Sequence, residues 1–293
     1  MEELLDKLKQ RLPSMPQMLF IAAVLLLLLS ITLALGANRN RAEPEAEPSA
    51  GQESPTAAPT PDSPEKPALL VTAEQMAKLS YTDSVLGELS WNLSEESLRE
   101  LNQTLIRYGI LDSEEICHFL AQATVETGAG RALTEEGDED YFRKRGYTTG
   151  TRGAGYLHLT HDYGQMAFAT WMLKNNVPAL ANIPYVSPVN NGAEDIAAAY
   201  YAALQAAANL GLNISRYSRI VYDPNSTLTT GADYIAAQFA WESAGYYWTV
   251  TGIGQALTEG NADAASLLVG GSNWQSRREA YAAFRSVLTD TAG

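Results

Sequence analysis

The chain has a single cysteine, Cys117, in 293 residues, which excludes an intramolecular disulfide. It sits in EEICHFLAQA among apolar residues, as a small buried core residue would. His118 follows it directly, but adjacent helical side chains do not face each other, so the alternative of a Cys–His nucleophile is weak. Positive charge is scarce as well. Lys and Arg total 20 against 34 Asp and Glu, a formal net charge of -14. That balance argues against a nucleic-acid partner, which needs a basic face, and against docking on anionic lipid through basic side chains. It suits a domain whose substrate is uncharged or cationic. Only 3 histidines are present, and the His158/His161 pair matches no common zinc motif. There is no G-x-S-x-G elbow, no phosphate-binding loop and no internal repeat. No metal or cofactor is expected.

The chain does carry one long uncharged run, Met18 to Ala37, rich in leucine. About twenty residues at 1.5 Å each span about 30 Å, the thickness of a bilayer core. The polar residues 1–17 ahead of it and the length of the run point to an uncleaved signal anchor. A cleavage site at Ala34-Leu35-Gly36 is the alternative, and the domain would then be secreted. The long region after the run places that region outside the cell, with residues 1–17 in the cytoplasm. Residues 38–67 form a linker holding Pro44, Pro48, Pro55, Pro59, Pro61, Pro64 and Pro67 among Glu, Ala, Ser and Thr. Such a composition buries too little apolar surface to fold. Fully extended, it would reach on the order of 90 Å. Residues 68–293 remain as one domain of ordinary size.

That domain reads as mainly helical. Thr72, Ser94 and Asp112 or Ser113 are N-cap signals for the first three helices, the third running to about Thr127. Further helices are expected at 160–175, 193–210, 231–248, 261–269 and 274–288. Strand signals are few, at YLHL (156–159) and RIVY (219–222).

On the third helix, Ile116, Phe119, Leu120 and Ala123 share one face, and Glu126 falls on the same face. A carboxylate there costs free energy to ionise, so burial would favour its protonated, proton-donating form. The bland alternative is a helix-end Glu turned to solvent. Glu135 comes nine residues later, in the acidic run Glu135, Glu136, Asp138, Glu139 and Asp140. By itself such a run is a solvated face, and it lacks the alternating spacing of a calcium loop. A helix end, the glycines Gly128 and Gly130, and a return could nevertheless bring the two carboxylates across a groove. That pair is the minimal equipment for glycoside hydrolysis.

Three blocks in order resemble glycoside hydrolase family 19, the chitinases and their short bacterial and phage cell-wall-lysing relatives. FLAQATVETGAGRALTEE is similar to the family block A-Q-x-x-H-E-S/T-G, with Glu126 at the general-acid position. YTTGTRGAGYLHLTHDY resembles Y-x-G-R-G-x-I-Q-L-T, with Thr160 at the hydroxyl position that helps hold the catalytic water. WESAGYYWTVTGIGQALTEGNADAASLLVGGSNWQSRREAY resembles the late helix with paired aromatics, the I-N-G-G turn and the terminal Arg-x-x-x-Tyr, here Arg277 or Arg278 and Tyr281. The resemblance spans residues 80–288 and implies a lysozyme-like helical fold with minimal sheet. It further implies an inverting glycosidase acting on β-1,4-linked N-acetylated amino sugars, peptidoglycan ahead of chitin. Glu126 would be the acid and Glu135 the base, with Thr160 on the water. Substrate contacts are implied at Tyr156, His158, Tyr247, Trp248 and Arg277, although buried aromatics such as Tyr156, Tyr247 and Trp248 are more often core. The chain departs from the pattern at Val125 (family His), His158 (Gln), Gly164 (Asn) and Val269 (Asn), the last three at sugar-contact positions. A catalytically inactive module binding wall glycan or an envelope partner is the rival expectation.

Overall fold

A computed structural model describes residues 70–257, 262–269 and 273–289. The anchor at 18–37 and the linker at 38–67 lie outside the described residues. Among those described, no helix is long and apolar enough to cross a membrane.

The fold is mainly α. Helix α1 (Ala73–Lys78) precedes a hairpin of β1 (Ser80–Asp83) and β2 (Gly87–Ser90), which pair antiparallel with Tyr81 opposite Leu89. Then come α2 (Glu95–Tyr108), α3 (Ser113–Thr127), α4 (Glu139–Lys144), α5 (Asp162–Asn176), α6 (Ala193–Asn209) and α7 (Ser215–Ser218). The chain continues through α8 (Ala232–Gln238), α9 (Ala240–Val250), α10 (Ile253–Ala256), α11 (Ala262–Val269) and α12 (Trp274–Leu288).

The helix starts are set by capping chemistry. Thr72 and Gln75 form a reciprocal capping box on α1. The Ser94 hydroxyl accepts from Ser97 N on α2, and the Asp112 carboxylate accepts from Glu114 N and Glu115 N on α3. Gly109 and Gly128 end α2 and α3 in the left-handed conformation, at φ +71° and +59°.

Helix α3 is the centre of the first core. Its residues 116–124 are all buried, so it is covered on every side rather than along one stripe. α12 makes its most extensive contact, and α2 packs on α9. Trp91, Phe119, Trp241, Trp248 and Phe284 fill the space between these elements. A second core lies between α5, α6, α8 and α9, around Phe168, Ile196, Tyr234 and Phe239.

Three expectations need correction. YLHL is not a strand: Gly155 (φ +77°) and His158 (φ +48°) reverse the chain into a tight turn closed by paired Ala154–Leu159 hydrogen bonds. RIVY is a turn too. Ile220 N donates to Tyr217 O and Val221 N to Ser218 O, so the backbone is used locally, and only Ile220 is fully buried. The expected helix at 231–248 is broken at Phe239, whose backbone (φ -144°) leaves the helix as its ring enters the second core. Just beyond the break, Ala240 O at the start of α9 accepts from Tyr156 N at 3.1 Å.

Cys117 is fully buried, and burial pushes its thiol up to about 12. His118 beside it stacks on Tyr281 of α12 at 4.3 Å, and neither ring nitrogen has a hydrogen-bond partner. Burial lowers its pKa, against the opposing pull of Glu114. A histidine depressed in the folded state binds its proton more readily when unfolded. Its stabilising effect is therefore complete above about pH 6.5 and is lost as pH falls through that value. Burial also lowers His161, which adds to the same slope. We predict that urea denaturation shows stability falling between pH 7 and pH 5. His118→Phe, which keeps the ring stack, should flatten the slope by at most about 1.4 kcal/mol per pH unit. Equal slopes for both proteins would show that His118 is not the source.

Candidate active site

Glu126 is placed by the last turn of α3, and Glu135 by the chain reversal just beyond that helix. Gly128, Ala129 and Gly130 all have positive φ, so the chain turns back immediately after the helix. Thr127 locks the turn: its hydroxyl donates to Ala123 O at 2.6 Å and accepts from Gly130 N at 2.8 Å. The returning segment runs beside residues 153–155, with Glu135 N donating to Gly153 O at 2.8 Å and Gly155 N to Leu133 O at 2.9 Å. The Gly155–His158 turn then carries His158 back toward the end of α3.

These elements enclose a cleft of about 480 Å³. Glu126, Glu135, His158, Thr160, Tyr247 and Tyr147 line it, and Pro188 and Val189 form part of its wall. Both candidate carboxylates therefore face one space.

Glu126 is not surrounded by apolar side chains alone, as its helical position predicts. Its Oε1 accepts from Arg277 Nη2 at 2.5 Å, and its Oε2 lies 3.6 Å from His158 Nδ1. Arg277 is 3% exposed, Glu126 20% and His158 17%. The Arg277 guanidinium also donates to the Gln122 side chain one turn earlier on α3. Arg277 therefore sits beneath the cleft holding Glu126, and is not among the residues that line it.

Glu135 is held by donors only. Tyr147 Oη reaches both of its oxygens at 2.8 and 2.9 Å, Tyr141 Oη donates to Oε1 at 3.0 Å, and Gly153 N to Oε2 at 3.3 Å. A carboxylate accepts and never donates, so this setting suits it. The Tyr141 phenol is held above its ordinary pKa by this hydrogen bond, and the Tyr147 phenol by burial and then Glu135, so both remain donors at neutral pH. The rest of the acidic run differs: Glu139 and Asp140 are exposed in the first turn of α4, which Asp138 caps.

Thr160 Oγ1 donates to His158 O at 2.6 Å, which leaves its oxygen free to accept. Tyr247 lies in the cleft wall, its phenol raised by burial and by the Glu126 charge. Tyr156 and Trp248 belong to the core. Tyr156 stacks on Trp241 at 3.5 Å, and Trp248 packs edge-on to Phe119 while its Nε1 donates to Glu115 at 2.9 Å. Successive helical residues point about 100° apart, so one member of the Tyr247-Trp248 pair faces the cleft and the other faces away. Gly164 and Val269 line the cleft without a polar side chain. Sequence reasoning missed Tyr141 and Tyr147 as clamps on Glu135, and nothing in their local pattern marks them. Among the described residues no group of His, Cys, Asp and Glu is arranged to hold a metal ion.

Comparison with family models, with curated proteins and with solved structures found no match for this chain.

Gly153 is where the two halves of the site press together. A Cβ there would lie 2.8 Å from His158 Cβ and 3.4 Å from Glu135 Cβ. Gly153→Ala is expected to destabilise the domain by about 1–3 kcal/mol through overpacking, read as a lower urea midpoint. An unchanged midpoint would mean that the turn relaxes freely and does not fix His158.

Proposed function

We propose that the chain is a glycosidase of lysozyme-like fold, cutting β-1,4-linked N-acetylated amino-sugar polymers by inversion, with peptidoglycan as the first substrate to test. The observation that carries the reading is the convergence of Glu126, Glu135 and Thr160 on one cleft. The resemblance of the three sequence blocks to glycoside hydrolase family 19 supports it. Glu126 gives a proton to the glycosidic oxygen from Oε2, the oxygen that Arg277 leaves open. Glu135, ringed by donors, takes a proton from the attacking water. The Thr160 oxygen accepts the other water O–H, because its own proton is committed to His158 O. That fixes the direction of the water's lone pair. The Tyr247 ring offers an apolar face to a sugar. In the proposed setting, the segment at 18–37 anchors the enzyme in the plasma membrane and the linker at 38–67 lets it reach into the wall. A glycan-binding module without turnover is the second reading, favoured by Gly164 and Val269 at sugar-contact positions.

The expected result is release of reducing ends from purified peptidoglycan, or from chitin oligomers, by the full-length protein. Glu126→Gln and Glu135→Gln should each lose roughly 10²–10⁴-fold in rate with an unchanged circular dichroism spectrum. Full activity in Glu126→Gln would remove it as the acid. Glycan pull-down with no release by the wild type would establish the binding module instead.

A further inference from the structure

The two oxygens of Glu126 are not equivalent. Arg277 holds Oε1 at 2.5 Å, while Oε2 faces His158 Nδ1 at 3.6 Å. The other imidazole nitrogen, Nε2, lies 3.4 Å from Ala132 O. A carbonyl oxygen has no proton to give, so Nε2 carries one. In the neutral ring Nδ1 is then a lone pair, and it looks at a carboxylate oxygen. Two acceptors in that position repel. A single proton relieves the repulsion, carried either by Nδ1 with Glu126 charged or by Oε2 with His158 neutral.

We propose that His158 is the proton-relay residue for Glu126: it recharges Oε2 with the proton that Glu126 delivers in each turnover. The inference rests on the assignment of Glu126 as general acid. At 3.6 Å the pair is an ion-pair contact rather than a hydrogen bond, and transfer takes place when the gap closes by about half an ångström.

The rest of the site supports this role. Arg277 is buried and does not release a proton at working pH, so it orients Glu126 without supplying it. Tyr147 is committed to Glu135, and burial holds the Tyr247 phenol protonated. His161 is turned to Tyr163, on which it stacks at 4.9 Å, and burial disfavours its charged form. The His158 ring is held in place by its own backbone, at φ +48°, with Thr160 donating to its carbonyl. A non-glycine residue in that region is uncommon and is retained where the surrounding structure fixes it. The glutamine that the resembling family carries at this position has no such proton.

The step balances. The Oε2–H bond breaks as its proton joins the glycosidic oxygen, which keeps the electron pair of the broken C–O bond. Glu126 is left as carboxylate beside Arg277. Solvent then adds a proton to Nδ1 of the neutral imidazole, which passes to Oε2 and leaves His158 neutral again. Glu135 releases to solvent the proton it took from water. The net change is one water added across the bond.

The test uses the full-length protein and two independent readouts. The first is the pH dependence of kcat/KM on whichever polymer fragment the wild type cuts. His158→Gln and His158→Asn, each checked for an unchanged melting temperature, should lose about tenfold or more at neutral pH. The alkaline limb of their profiles should also move toward acid by one pH unit or more. An active variant with an unmoved profile overturns the relay and leaves the Glu126 assignment standing. The second readout is nitrogen NMR of the 3 histidines, which needs no turnover. The relay requires neutral His158 to be protonated on Nε2. It also requires the His158 nitrogens and the Glu126 carboxyl to titrate over one common pH range. Protonation on Nδ1, or separate titrations, overturns it. A wild type without hydrolytic activity would sink the glycosidase assignment, and NMR would still decide whether the two groups share a proton.

Discussion

The contact between Arg277 and Glu126 is the constraint on which the site depends. It joins α12, near the end of the described chain, to the last turn of α3 at its centre. A buried guanidinium must find an acceptor, and here it takes Gln122 and one oxygen of Glu126. The packing of α12 on α3 and the orientation of Glu126 are therefore one problem with one solution. The same contact leaves the second carboxylate oxygen pointing into the cleft, where His158 meets it.

The opposite wall is organised by the turn at 153–160. Gly153 lets Glu135 and His158 approach, Gly155 lets the chain reverse under Ser243, and His158 accepts a left-handed backbone so that its ring faces Glu126. Thr160 then fastens the turn by donating to the His158 carbonyl. Very little of this segment belongs to a helix or strand. Its precision comes from backbone hydrogen bonds to residues 133–135 and from Tyr156 N donating to Ala240 O at the start of α9. An irregular segment anchored on rigid helices is a common place to find functional side chains.

Helix existence was legible because capping and periodicity are local. Thr72, Ser94, Asp112, Gly109 and Gly128 mark boundaries through their own side chains or lack of them, and the helices begin and end there. The β1–β2 hairpin and the break at Phe239 were not legible. They depend on which surfaces meet: Ser276 of α12 donates to Asp83 beside the hairpin turn, and Phe239 leaves its helix to fill the second core. Apolar β-branched runs such as RIVY read alike whether they become strands or buried turns. For the site, Glu126, Glu135, Thr160, His158 and Tyr247 could be picked out and do line the cleft. The partners that hold them could not be. Arg277 is remote in sequence from Glu126, and nothing local distinguishes it as a buried anchor rather than a sugar contact. Tyr156 and Trp248 show the converse: an aromatic near a motif is as readily core as cleft.

The burial of Cys117 has a practical corollary. With its thiol raised to about 12 and closed off from solvent, this side chain offers almost no thiolate to disulfide exchange or to alkylating probes in the folded protein. The native domain is chemically cysteine-silent while still encoding one cysteine. A second cysteine placed at the rim of the cleft, for example at Val189, would thus be the reactive one. A dye or spin label attached there would report on cleft opening without removal of the native residue.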